Sequence, residues 1–186
     1  MSSAVPFISA SELSALILTP DPAKKVKVID VRDHGQPSPS HFQIPLPPNP
    51  SLTHVRHADH IGGHILNSTH QPSTTFSESL PELVKDCEDA NIVVFHCALS
   101  QQRGPTAARA YARARTAKDA STKASAPPEE EPPQAAEDSN DKTTDKKRPQ
   151  EVYVLERGFV GWQEVYGNDK RLTEGYVADL WKDEYL

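Results

Sequence analysis

The chain has 186 residues, which favours a single domain. Lysine and arginine number 20 against 26 aspartates and glutamates, and this net charge of −6 argues against a general nucleic-acid binder. No apolar run approaches the roughly 20 residues of a membrane span, and two cysteines cannot form a disulfide framework. We therefore expect a cytoplasmic protein that binds neither nucleic acid nor membranes.

Two segments lack the composition of a folded core. Residues 36–53 contain six prolines, and residues 116–150 contain no valine, isoleucine, leucine, methionine or aromatic residue. Such segments cannot bury enough apolar surface to offset the entropy of ordering. The sequence therefore predicts a single domain over residues 1–186, interrupted by a Pro-rich insertion at 36–53 and a disordered acidic linker at 116–150.

The rest of the chain alternates between strand and helix patterns. The predicted elements are, in chain order, a helix opened by the capping-box spacing of residues 9–12, strands at 26–31 and 65–66, a helix at 78–90, a strand at 92–95, a helix at 105–115, a strand at 152–155, a helix at 160–166 and an amphipathic helical tail at 172–186. Strands that are apolar on both faces and alternate with helices are typical of a parallel sheet. We predict an α/β fold with a central parallel sheet flanked by helices.

The segment after the strand at 92–95 carries the chemistry. Cys97 follows the strand end, five residues intervene, and Arg103 opens a helix. A loop whose backbone N–H groups point inward, backed by a helix N-terminus, binds a tetrahedral oxyanion and favours thiolate over thiol. The planar fork of an arginine grips two oxygens at once. The predicted phosphate-binding loop consists of Ala98, Leu99, Ser100, Gln101, Gln102 and Arg103.

This pattern predicts that Cys97 attacks phosphorus and forms a phosphocysteine, which water hydrolyses. Arg103 would stabilise the transferring group, and the Ser100 hydroxyl would bond to the sulfur and help it leave. The alternative is that Cys97 is a buried structural thiol and Arg103 a surface cation, which the full pattern of strand, cysteine, loop, arginine and helix disfavours. The loop contains no acidic residue, so the sequence assigns no general acid. Asp33 is one candidate, at a position that is more often structural, and the alternatives are a substrate that arrives as a monoanion or one with a good leaving group.

Three further residues are predicted to support the site. His96, beside the nucleophile, is expected to orient the loop by hydrogen bonds rather than to act as a base. Asp30 and Arg32 are expected to tie a strand end to the loop. Histidines 54, 57 and 60 lie three residues apart, but zinc sites usually include a cysteine or carboxylate held by a defined element, so we expect no metal.

Residues 95–105 resemble the active-site loop of the cell-division-cycle dual-specificity phosphatases and of the related plant and fungal arsenate reductases, a family with the rhodanese fold. Residues 29–33 resemble the Asp-x-Arg strand end of that family, residues 60–65 its Gly-Gly-His-Ile turn, and residues 153–162 its Gly-Phe-x-Gly-Trp turn. The resemblance implies a rhodanese-like fold with Cys97 as the nucleophile. Sulfur-transferring rhodaneses have a loop one residue shorter.

The resemblance implies a tyrosine or dual-specificity type of phosphatase without a cofactor, acting on a phosphorylated protein or a small phosphate. The alternative is an arsenate reductase that uses the same Cys97 loop, with glutathione as co-substrate and glutaredoxin as partner. Val31 occupies the position at which the large cell-cycle enzymes carry a second cysteine. The absence of a second cysteine near Cys97 is consistent with reduction by an external thiol such as glutathione. A thiosulfate sulfurtransferase and a non-catalytic binding module are the remaining alternatives. Residues 146–149 resemble a short nuclear signal, so a nuclear location stands beside the cytoplasmic one.

Overall fold

A computed structural model describes residues 4–19, 21, 24–33, 62–124 and 149–181. The strands are β1 (Phe7–Ile8), β2 (Val26–Asp30), β3 (His64–Ile65), β4 (Thr69–His70), β5 (Ile92–His96), β6 (Glu151–Leu155) and β7 (Thr173–Glu174). The helices are α1 (Ala10–Leu18), α2 (Phe76–Asp86), α3 (Arg103–Ala124) and α4 (Gly158–Tyr166), with a 3₁₀ turn at Ala178–Trp181. These elements confirm the predicted α/β class.

Five strands form a parallel sheet in the order β1-β6-β5-β2-β4. The central strand β5 is buried at all five positions, which explains its uninterrupted apolar sequence. The register pairs Asp30 of β2 with His96 of β5. The carboxyl ends of these two strands therefore meet one residue before Cys97, at the edge where ligands bind in open parallel sheets.

Alternate residues of β5 contribute to two cores, one on each face of the sheet. Val93 and Phe95 pack with α2 and α3, in a cluster that includes Leu83, Val84, Ala108 and Tyr111. Ile92 and Val94 belong to the cluster on the other face, which includes Leu13 of α1 and Phe159 and Trp162 of α4. Full burial of each large apolar side chain stabilises the fold by about 1.5–3 kcal/mol. Both faces are therefore covered, as the parallel sheet requires.

The predicted linker is wrong at both of its ends. Helix α3 continues to Ala124 instead of ending near Arg115, because alanine, lysine and arginine favour helix without any apolar face and Arg115 pairs with Asp119 one turn later. At the other end, the Gln150 side chain is hydrogen-bonded to Tyr111. Residues 125–148, like the Pro-rich insertion at 36–53 and histidines 54, 57 and 60, lie outside the described residues.

The C-terminal helix predicted at 172–186 is also wrong within the described residues. Strand β7 pairs antiparallel with β3 in a separate two-stranded sheet, and Gly175, at φ +64°, interrupts the chain before the 3₁₀ turn. The Trp181 indole N–H of that turn donates to the carbonyl of Gly62 at 2.8 Å, and its ring centroid lies 5.3 Å from that of Phe159. In the described ranges, none of the helices is both long and apolar enough to cross a membrane.

Candidate active site

Cys97 lies directly after β5 with 4% of its surface exposed, as a free thiol. The backbone N–H of Ser100 donates to the Sγ of Cys97 at 3.2 Å, and the backbone N–H of Cys97 donates to the Ser100 hydroxyl at 3.4 Å. Ser100 adopts φ +53°, which curls the loop around the sulfur. The sequence predicted a contact from the Ser100 hydroxyl to the sulfur. In the structure the amide makes that contact, and the hydroxyl accepts from Cys97.

The loop closes onto the N-terminus of α3. A Cβ placed on Gly104 would lie 3.3 Å from the Ser100 hydroxyl and 3.5 Å from the Cys97 nitrogen, so the first turn of α3 packs directly against the loop. The unpaired N–H groups and positive dipole end of a helix favour an anion at this place. Cys97 and Ser100 are buried in this loop, Ala98 is half-buried, and its exposed members are Leu99, Gln101, Gln102 and Arg103.

The opposite side of the loop rests on the N-terminus of α4. The Phe159 N–H donates to the Cys97 carbonyl at 2.9 Å, and the Val160 N–H donates to the Ala98 carbonyl at 3.0 Å. Gly158, at φ +57°, allows this approach, because a Cβ there would lie 2.4 Å from both carbonyl oxygens. These residues were not among the predicted site residues. Their signal in the sequence was the Gly-Phe-x-Gly-Trp turn.

Arg103 is bound to a carboxylate. Its Nη1 lies 2.8 Å from Oδ2 of Asp33, and its side chain is 42% exposed. Asp33 also accepts from the Ser73 hydroxyl at 2.8 and 2.9 Å and from the Thr74 N–H at 3.1 Å. Partial burial alone would raise the pKa of Asp33, but the hydrogen bonds from Ser73, Arg103 and Thr74 lower it below its usual range. An aspartate held as an anion in this way is unsuited to donate a proton at neutral pH.

A buried ion pair lies beneath the loop. Asp30 accepts from the Arg32 N–H at 2.9 Å and from Arg32 Nε at 2.8 Å, while Arg32 Nη2 donates to the carbonyl of Gly63 at 2.8 Å. The Arg32 guanidinium also lies 4.3 Å from the Phe159 ring centroid. Burial alone would raise the pKa of Asp30, but the charge of Arg32 and the hydrogen bonds from its side chain and backbone lower it below its usual range.

His96 connects this ion pair to the loop. Its Nδ1 lies 3.3 Å from the Cys97 carbonyl oxygen and 3.9 Å from Oδ1 of Asp30. Because a carbonyl can only accept, Nδ1 carries the proton in this contact. Complete burial lowers the pKa of His96 despite the neighbouring Asp30. His96 and Phe159 therefore connect Asp30 and Arg32 to the loop.

The rhodanese-like domain model matches residues 9–165, which is most of the chain. The chain belongs to the rhodanese-like family. The CDC25-like phosphatase YCH1 of Saccharomyces cerevisiae is 31% identical over 139 residues, which are 69% of this chain and 75% of that protein. Arsenate reductase 2.1 of Oryza sativa subsp. japonica is 29% identical over 163 residues, which are 88% of this chain and 70% of that protein.

The solved structure of Ygr203w, described as a yeast protein tyrosine phosphatase of the Rhodanese family, superposes on this chain with a TM-score of 0.60 at 26% sequence identity. The superposition covers 97% of this chain and 99% of the Ygr203w chain. This superposition confirms the predicted rhodanese fold, and the relatives confirm the predicted family.

No group of three or more His, Cys, Asp or Glu side chains that could hold a metal ion occurs where this rhodanese-like chain is described. Sequence reasoning missed that Ser73 and Thr74 hold Asp33, and that Asp33 binds Arg103. The 70 residues that separate Asp33 from Arg103 gave no local signal for this pair.

Proposed function

We propose that this protein is a cysteine-dependent phosphatase of the tyrosine or dual-specificity type, which hydrolyses phosphate monoesters through a phosphocysteine intermediate. The observation that carries the proposal is the Cys97–Ser100 pairing, in which a backbone amide points at the sulfur of a free cysteine at the N-terminus of α3. Relatives named as phosphatases support it.

The reaction has two displacements at phosphorus. In the first, Cys97 Sγ forms a bond to phosphorus, the ester P–O bond breaks, and its electron pair leaves on the alcohol oxygen. In the second, water attacks phosphorus, and the P–S bond breaks to return the electron pair to Cys97 as inorganic phosphate departs. The amides of the loop and the Arg103 guanidinium stabilise charge on the three remaining oxygens. With Asp33 held as an anion, the leaving group takes its proton from solvent or from a monoanionic substrate, so aryl phosphates are the preferred class.

The test is hydrolysis of p-nitrophenyl phosphate by the purified protein in a reducing buffer. Cys97→Ser should abolish turnover, whereas Cys87→Ala, which removes the only other cysteine of the sequence, should retain it. Cys87 is buried at the C-terminus of α2. Arg103→Lys keeps the charge and loses the fork, so it should bind the substrate more weakly. A folded wild-type protein without activity, or an active Cys97→Ser variant, would refute the proposal.

A second candidate function is glutathione-dependent arsenate reduction, favoured by the state of Cys87. This thiol is 1% exposed and burial raises its pKa, so it is poorly suited to resolve an oxidised Cys97. An external thiol would serve instead. Cys97 would displace hydroxide from arsenate, and glutathione would attack the Cys97 sulfur. Arsenite would leave with the electron pair of the S–As bond, and a mixed disulfide between Cys97 and glutathione would form. A second glutathione, through glutaredoxin, would then reduce this disulfide.

Arsenite formation should then require both glutathione and Cys97 and should persist in Cys87→Ala. Arsenate reductases of Oryza sativa support this candidate. Arsenite production by Cys97→Ser, or none by a wild-type protein that hydrolyses phosphate esters, would exclude it.

A further inference from the structure

The ion pair between Asp33 and Arg103 joins two elements that flank the loop. Asp33 follows the carboxyl end of β2, and Arg103 is the first residue of α3. The pair is partly exposed, with 31% of the Asp33 side chain and 42% of the Arg103 side chain accessible. Exposed ion pairs often contribute little, so the exposure alone gives no reason to assign a role.

The difference from an ordinary surface pair is that Asp33 is itself fixed. The Ser73 hydroxyl contacts both carboxylate oxygens, and the Thr74 N–H donates to Oδ1. Asp169 gives the comparison, because its carboxylate pairs with Arg171 two positions away and the bonds described for it all come from that arginine. In the Asp33 pair the carboxylate is therefore the anchored member, and the guanidinium is the member that it holds.

The contact leaves most of the arginine fork open. Among the described residues, Arg103 contacts Asp33 through Nη1 alone. Nε and Nη2 form the edge of a guanidinium that binds two oxygens in parallel. A carboxylate that takes Nη1 alone can therefore hold the side chain without occupying that edge.

We infer that Asp33 is a positioning residue, which holds Arg103 by Nη1 so that its Nε and Nη2 meet the oxyanion of the substrate. The inference rests on the proposed function, since it concerns the oxyanion bound by the Cys97 loop. It assigns Asp33 a role other than the general acid that its position in the sequence suggested. Asp33 acts through Arg103 and touches no reacting atom.

The first test measures inorganic phosphate, by calorimetric binding and as an inhibitor of p-nitrophenyl phosphate hydrolysis. Asp33→Ala should weaken phosphate about tenfold and raise KM to a similar extent, because an arginine freed from its anchor must be ordered by the ligand. Asp33→Asn should recover part of the loss, because its amide oxygen still accepts from Nη1. Asp169→Ala, the matched surface pair, should match wild type.

The second test separates positioning from proton donation. Across aryl phosphates whose leaving groups differ in pKa, Asp33→Ala should lower kcat/KM by the same factor for each. A loss that grows as the leaving group becomes more basic would make Asp33 the general acid and overturn the inference. Ser73→Ala keeps the aspartate but removes one of its anchors, so it should weaken phosphate binding by a smaller factor than Asp33→Ala. This variant provides the test if Asp33→Ala does not fold.

The remaining outcomes are equally decisive. Tighter phosphate binding by Asp33→Ala would show that the carboxylate competes with the substrate for Arg103, and unchanged binding would show a surface pair only. Either result, in a wild-type protein that binds phosphate and hydrolyses the ester, overturns this inference and leaves the proposed function standing. A wild-type protein that does neither overturns both.

Discussion

Ser100 and Cys97 pair reciprocally through their main chains and side chains. The Ser100 amide donates to the Cys97 sulfur, and the Cys97 amide donates to the Ser100 hydroxyl. The pairing requires the left-handed conformation of Ser100, which costs an L-residue about 1 kcal/mol relative to glycine. The hydroxyl that satisfies a buried N–H is thus attached to a strained backbone, and the two contributions can be separated by substitution.

Ser100→Ala should destabilise the protein by about 1–3 kcal/mol, since the buried Cys97 N–H loses its acceptor while the strain remains. Ser100→Gly loses the same acceptor but relieves the strain, so its free energy of unfolding should be about 1 kcal/mol higher than that of Ser100→Ala. Urea denaturation of both variants measures the difference. Equal stabilities would contradict the assignment of strain to this residue.

The same two variants test which group assists the sulfur as it leaves. Both keep the backbone amide that contacts Sγ, so turnover of p-nitrophenyl phosphate should stay within about tenfold of wild type. Rapid-mixing kinetics measure the two displacements separately. A stoichiometric burst followed by no turnover in Ser100→Ala would show that the hydroxyl, rather than the amide, drives hydrolysis of the phosphocysteine.

Gly158 fixes the distance between α4 and the loop. Gly158→Ala should lower the free energy of unfolding by about 3 kcal/mol and reduce activity, because strain at φ +57° adds to the overlap with the Cys97 and Ala98 carbonyls. Gly175 is the matched control, since its φ is +64° but the nearest atom to a Cβ there is 3.9 Å away. Gly175→Ala should cost about 1 kcal/mol and leave activity unchanged. Thermal unfolding and ester hydrolysis check both variants, and similar losses in the two would contradict the close approach.

Buried His96 and Asp30 predict how stability depends on pH. Burial lowers the pKa of His96 in the folded state, so below about pH 6.5 the unfolded chain binds a proton that the folded chain does not, and stability falls as pH falls. The pKa of Asp30 is also lowered on folding, so its contribution is present above about pH 4 and is lost as pH falls further. The free energy of unfolding should decline from pH 7 to 5, and less steeply in His96→Asn. A flat profile over that range would contradict a buried neutral histidine.

Local patterns account for what the sequence predicted, and contacts between distant residues account for what it missed. The apolar run of β5, followed by a cysteine and an arginine that opens a helix, is a local signal, so the loop could be located from residues alone. The pairing of Asp33 with Arg103 depends on how β2 and β5 align, which the sequence does not show. The end of α3 was missed because absence of apolar residues indicates disorder only where helix propensity is low, and residues 116–124 are rich in alanine and lysine.

Gln150 was assigned to the linker because it lies in a polar segment, yet it connects three groups of the core. Its Oε1 accepts from the Tyr111 hydroxyl at 2.7 Å, and its Nε2 donates to the carbonyls of Cys87 and Ala90 at 2.7 and 2.8 Å. Burial raises the pKa of Tyr111 above its usual range, so its hydroxyl stays neutral and remains a donor. Gln150 therefore caps the carbonyls after α2 and anchors the chain where it enters β6.

Gln150→Ala should lower the free energy of unfolding by about 2–3 kcal/mol, because its three hydrogen bonds, to the Tyr111 hydroxyl and to the carbonyls of Cys87 and Ala90, are lost together. Gln150→Glu should cost at least as much at neutral pH, since a carboxylate would face those carbonyls without a donor. Gln163 is the matched control, because its Oε1 also accepts from a tyrosine hydroxyl, that of Tyr176 at 2.6 Å, in a half-buried setting. Gln163→Ala should cost about 1 kcal/mol. Equal stability of the two alanine variants in urea denaturation would show that the hydrogen bonds from Gln150 to the Cys87 and Ala90 carbonyls add nothing to its bond with Tyr111.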